Sequence, residues 1–201
     1  MRIVLIFIGL AACLAAGQAA LKHFGPPEGG LFEERVIRIT RESPAPETRL
    51  VNANGGVATL ADWRGEVAVV ALWATWCPIC AREMPQLQAL AERYQGRGLS
   101  VVTVSLDDPP AEALVRDYLS GRGYDLLPPF IDPDRALASS IGLRGTPTTM
   151  IVDKFGQVVA VMEGLGPWRD AATDRYLDAL IAAPDADASR ALLSSSASAG
   201  S

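Results

Sequence analysis

Two continuous apolar runs, EVAVVALWA (66–74) and LSVVTVSL (99–106), bracket a stretch whose apolar residues recur every three or four positions. Both runs are short and rich in β-branched residues, as strands buried on both faces are. Between them Met84, Leu87, Leu90/Ala91 and Tyr94 share one helical face, and Gly96 and Gly98 stop the pattern. Strand, helix and strand in that order imply a parallel crossover with helices covering the sheet. Downstream, Asp108-Pro109-Pro110 opens a helix with Leu114, Val115, Tyr118 and Leu119 inward. LLPPFIDPDRALASSIGLRG (126–145) predicts a short strand and a Pro-initiated helix ending at Gly142. TTMIVD, a KFG turn and QVVAVME read as an antiparallel hairpin. Pro167 opens a last helix with Trp168, Leu177, Leu180 and Ile181 on one face, and Pro184 ends it. Upstream, Asn54-Gly55-Gly56 is a tight-turn signal between two strand-like pieces of 50–65, a β-hairpin. The expected fold is therefore α/β, one domain over 45–183, with a mixed central sheet flanked by helices and an N-terminal β-hairpin.

The ends of the chain read differently. Arg2 precedes nineteen mostly apolar residues, Ile3 to Leu21, close to the ~20 that a membrane span requires. Within 1–24 this segment is an uncleaved anchor, a signal peptide cut near Gly17–Ala19, or a lipoprotein signal built on LAAC (Leu10–Cys13). All three export the domain, so we expect it at the cytoplasmic membrane, facing the periplasm, where disulfides persist. Residues 25–44, with GPPEGG and SPAPE at either end, read as a tether, and 184–201 as a disordered low-complexity tail. The net charge is −5, and the 16 Arg and 2 Lys are scattered without a basic stripe, which argues against a nucleic-acid partner. With 49% hydrophobic residues the domain can bury a core without a disulfide.

Cys77 and Cys80 thus need another explanation. A metal site wants three or four ligands, yet the predicted domain offers two cysteines and no histidine, since Cys13 and His23 lie ahead of it. No metal or cofactor is expected. A staple across three residues closes too small a loop to stabilise much. A redox pair suits the position, because a strand delivers both cysteines to a helix N-terminus, where free N–H groups and the helix dipole favour a thiolate. Cys77, at the very start, is then the exposed attacking sulfur, and Cys80, one turn in, the shielded resolving one. A Cu(I) carrier is the non-enzymatic alternative, as Cu(I) prefers soft ligands; a peroxidase would want a different cysteine context.

LADWRGEVAVVALWATWCPICAREMPQL, VVTVSLD, IDPDRALASSIGLRGTPTTMIVDKFGQVVAVMEG and the closing helix together resemble the thioredoxin superfamily. Within it the likeness is to the TlpA/ResA/CcmG group of membrane-tethered extracytoplasmic thiol–disulfide oxidoreductases, the TlpA branch most, over about 45–182. The resemblance implies a thioredoxin-like fold in which 109–142 supplies an inserted helix and strand. It implies a cis Thr146–Pro147 bond facing the cysteines; an ordinary trans proline entering a strand is the alternative. It also implies that Glu83 moves protons near the pair, against the alternative of a solvated carboxylate beside the helix dipole. Trp76, Pro78, Thr146 and Pro147 form the expected substrate-facing rim, while Trp73 belongs to the core and Pro85 kinks the first helix. Many relatives carry proline next to the second cysteine, whereas here Pro78 follows the first, as in the CcmG-like branch. Implied partners are cysteine pairs of exported proteins, in metallochaperones or oxidase copper sites or else in apocytochrome c, and a membrane-embedded thiol electron donor. A monomer is expected.

Overall fold

The structure, a computed structural model, describes residues 36–39 and 42–192. In chain order the elements are β1 (Val36–Arg38), β2 (Leu50–Asn52), β3 (Val57–Ala58), a 3-10 turn at Leu60–Trp63, β4 (Val67–Trp73), α1 (Pro78–Tyr94) and β5 (Leu99–Ser105). There follow α2 (Glu112–Ser120), β6 (Pro129–Ile131), α3 (Ala136–Ser140), β7 (Thr148–Val152), β8 (Val158–Glu163), α4 (Ala171–Ala182) and α5 (Ala186–Ala191). The strands form one sheet in the order β1-β8-β7-β4-β5-β6-β2-β3. β4, β5 and β6 are parallel, and every other pairing is antiparallel. This is the mixed sheet of a thioredoxin-like fold.

The central strand explains its own composition. All seven residues of β4 are buried. Val67, Val69, Ala71 and Trp73 pack with Met84, Leu87 and Leu90 of α1 and with Leu177 and Leu180 of α4. Ala68, Val70 and Leu72 point the other way, among Phe130, Leu137 and Met150. Covered on both faces, the strand has no position for a polar residue, so the run is unbroken. The β2–β3 turn also follows from its residues. Gly55 and Gly56 hold φ of +102° and +96°, which side chains disfavour, and Asn52 Oδ1 accepts the Asn54 N–H at 2.8 Å.

Several expectations need correction. The tether was expected to run through 44, yet Val36–Arg38 pairs with β8, and the Ser43 carbonyl accepts the Val158 N–H at 2.7 Å. This short segment covers what would otherwise be an open sheet edge, and the Pro- and charge-rich residues around it hide the signal. The tail is not structureless through 192, because Asp185 caps α5 by accepting the Ala188 N–H at 2.8 Å and Leu192 packs on the core. Leu114 faces solvent at 51% exposure, with Val115 and Leu119 inward. Pro133 stands ahead of α3 rather than opening it, as Arg135 at φ +52° intervenes. Pro167 likewise precedes α4, whose cap is Asp170. The anchor or signal segment, most of the tether and 193–201 lie outside the described residues, among which no helix is long and apolar enough to cross a membrane.

Candidate active site

β4 ends at Trp73, and four residues, Ala74 to Cys77, carry the chain to α1. That link is pinned at Thr75 by a residue that sequence reasoning passed over as the end of a strand. Asp107, just past β5, accepts the Thr75 N–H at 2.9 Å and the Thr75 hydroxyl at 2.7 Å. The Ser105 hydroxyl adds a third bond at 2.7 Å. The register that sets Trp73 beside Ser105 brings these groups together. Asp107 is 4% exposed. The only sequence signal for it was an acid at the end of the strand neighbouring the motif.

Cys77 caps α1, its Sγ accepting the Cys80 N–H at 3.1 Å, and Pro78 occupies the first turn. Proline fits there because its missing N–H has no partner to lose, which is the local reason the motif reads Cys-Pro-Ile-Cys. The two cysteines are joined in a disulfide. Cys77 is 5% exposed, less open than expected, while Cys80 is wholly buried; only the first sulfur presents an edge to a partner. One cause stands opposite. The Thr146–Pro147 bond is cis, and the Thr146 carbonyl oxygen lies 3.7 Å from Cys77 Sγ. Around this edge Trp76 is 65% and Ile79 46% exposed, and Pro78 is exposed as well, an apolar rim beside a reactive bond. Trp73 is buried and packs against Tyr118 with ring centroids 5.0 Å apart.

Glu83 lies one turn beyond Cys80 and is 1% exposed, so the solvated-carboxylate alternative does not describe it. Its Oε1 accepts two hydrogen bonds, from the Trp168 indole N–H at 2.7 Å and from the Gly166 N–H at 2.9 Å. Burial pushes its carboxyl pKa up, and the bonds from Gly166 and Trp168 pull part of the way back. Sequence reasoning found Glu83 but neither donor: Trp168 read as part of the last helix's inward face, whereas it precedes α4, and Gly166 carried no signal of its own.

A disulfide at a helix N-terminus, with one sulfur wholly buried and an apolar rim beside the other, is an arrangement that can pass electrons between sulfurs. Residues 40–180 match the Redoxin family model. The chain belongs to the Redoxin family. It is 31% identical to the thiol-disulfide oxidoreductase ResA of Geobacillus thermodenitrificans, over 82% of this chain and 86% of that one. Among solved structures it is similar to one described as the thiol:disulfide interchange protein DsbE of Chlorobium tepidum (TM-score 0.61, 26% identity, 70% of this chain and 97% of that). Another is the exposed lipoprotein thioredoxin of Streptococcus pneumoniae (TM-score 0.57, 27% identity, 66% and 98%). The protein is a thiol–disulfide oxidoreductase of the ResA/DsbE type with Cys77 and Cys80 at C-x-x-C spacing. A nearer kinship to the TlpA branch is a finer statement than these matches make.

Proposed function

We propose that the protein is a membrane-tethered reductase of cysteine pairs in exported proteins, with its catalytic domain on the periplasmic side. The observation that carries this reading is the pairing of Cys77, 5% exposed beside an apolar rim, with a wholly buried Cys80 and a buried carboxyl one helical turn on. The apolar run Ile3–Leu21 behind Arg2 supports the tether. Trp76, Pro78 and Ile79 are the apolar rim on which a substrate segment docks, and the Thr146 and Pro147 backbone lies across from it.

In the reaction the Cys77 thiolate attacks one sulfur of a substrate disulfide. A bond forms between Cys77 and that sulfur, the substrate bond breaks, and the second substrate sulfur leaves and takes up a proton. Cys80 gives its proton to Glu83 and attacks Cys77. The Cys77–Cys80 disulfide closes, and the first substrate sulfur leaves with the proton that Glu83 held. Two electrons have passed to the substrate, and a membrane-embedded dithiol returns two to the protein. Cys77, whose sulfur accepts the Cys80 N–H at the start of α1, is the sulfur better held as a thiolate and so the attacking one in the first step.

Two substrate classes fit. Likeness to the TlpA branch supports copper-site cysteines of a metallochaperone or oxidase. The matches to ResA, together with the position of Pro78, support the haem-site cysteines of apocytochrome c. A deletion strain separates them. Loss of oxidase copper with normal c-type cytochromes selects the first class, and loss of c-type cytochromes with copper intact selects the second. A strain normal in both rejects the reading.

A further inference from the structure

The short loop ahead of α4 is built around Glu83, and its geometry goes beyond what packing needs. Two N–H groups converge on one carboxylate oxygen, Oε1, while Oε2 receives no hydrogen bond among the described residues. Trp168 is wholly buried. A Cβ placed on Gly166 would stand 2.4 Å from indole Cε2 and 2.6 Å from Nε1, so only glycine lets the ring lie across its own loop. The loop is fastened on its other groups. Arg93 of α1 donates to the Trp168 carbonyl at 2.7 Å, and the Thr173 hydroxyl and Asp170 N–H donate to the Pro167 carbonyl at 2.8 and 3.0 Å.

We propose that Trp168 and Gly166 are positioning residues for the redox site: a rigid two-donor clamp that holds Glu83 Oε1 and leaves Oε2 to exchange protons with the cysteine pair. The proposal deepens the proton role given to Glu83 and rests on it only for its effect on rate. On its own helix, Cys80 and the capping Cys77 are the titratable groups on Glu83's buried side, while the neighbouring Arg82 is exposed. β4 contributes no ionisable side chain, and the loop from Gly164 to Trp168 contributes none. Tyr176 of α4 shares the core cluster with Trp168. Arg93 and Asp174 pair with each other at 3.0 Å, and Arg93 reaches the loop through the Trp168 carbonyl rather than through Glu83. A carboxylate with two donors on one oxygen and no cation beside it depends on those donors for its charge.

The test is Trp168→Phe in the reduced full-length protein, with the Glu83 carboxyl followed by carbon-13 NMR and the rate of disulfide exchange measured across pH. Losing one donor weakens the ionised form. The Glu83 midpoint moves up by about one pH unit, a tenfold change worth ~1.4 kcal/mol, and the rising limb of the rate profile moves with it. In the Glu83→Gln background Trp168→Phe leaves the profile where Glu83→Gln alone put it. Gly166→Ala, which keeps the indole but displaces it, moves the midpoint the same way and serves if Trp168→Phe does not fold. An unmoved midpoint in a folded variant overturns the clamp. A midpoint that moves under an unmoved rate profile upholds the clamp and takes Glu83 out of proton transfer.

Discussion

Asp107→Ala should loosen the segment that delivers Cys77 to the start of α1. The carboxylate is 4% exposed and accepts three hydrogen bonds, two from Thr75 and one from Ser105. A hydrogen bond to a charged group contributes about 1.5–3 kcal/mol. Thr75 is only partly buried, so water replaces part of what its groups lose, whereas Ser105 is wholly buried and has no such recourse. These terms give a loss of ~3 kcal/mol, which displaces the urea midpoint of the oxidised protein by about 1–2 M. Turnover falls too, because Trp76 and Cys77 follow directly from Thr75; a small misplacement of a reacting sulfur costs on the order of tenfold. Asp107→Asn, which keeps the shape and one acceptor oxygen, should lose less on both counts. Urea unfolding and reduction of insulin disulfides measure the two effects. A variant within ~0.5 kcal/mol of wild type and with unchanged turnover would refute the pinning role of Asp107.

Cys80→Ser should accumulate a mixed disulfide through Cys77, seen by mass spectrometry after incubation with a disulfide substrate, and Cys77→Ser should not; the reverse pattern exchanges the two roles. Glu83 makes stability depend on pH. Its folded pKa is raised, so over the window from the free value of 4.5 up to the raised one the native state binds more protons than the unfolded state. Stability therefore falls as pH rises through that window. Glu83→Gln should flatten this slope in urea unfolding at a series of pH values, and an unchanged slope would place the titrating group elsewhere. Leu87→Ala removes a wholly buried α1 side chain from the β4 face and should cost ~2–5 kcal/mol; a loss below ~1 kcal/mol would mean the helix repacks.

What the sequence made legible follows from how local each signal is. The buried runs, the helix behind the cysteines and the Asn-Gly-Gly hairpin each announce themselves within a dozen residues, and all appear as read. Glu83 was visible because its three-residue spacing from Cys80 fixes it to the same helix. Its donors were not, because Gly166 and Trp168 lie more than eighty residues away and meet it only after α4 docks. Asp107 was hidden for a similar reason, since its partner Thr75 is 32 residues distant and reached through strand register. The three residues of β1 carry too little pattern to stand out from a polar neighbourhood, and only the open edge of β8 gives them a place. Leu114 misled because its residue type suits a core, while the neighbouring turn of α2 already supplies Val115 and Leu119 to that face.

The direction of electron flow is tested most directly by the redox equilibrium of the Cys77–Cys80 pair against glutathione. A reductase of exported proteins must hold a potential toward the thioredoxin end of the C-x-x-C range, about −270 mV, so that its dithiol gives electrons to substrate disulfides. We predict a value in that region, with the pair largely oxidised at equilibrium in a glutathione buffer. A potential near −120 mV, the strongly oxidising end, would contradict the account and make the protein a donor of disulfides instead.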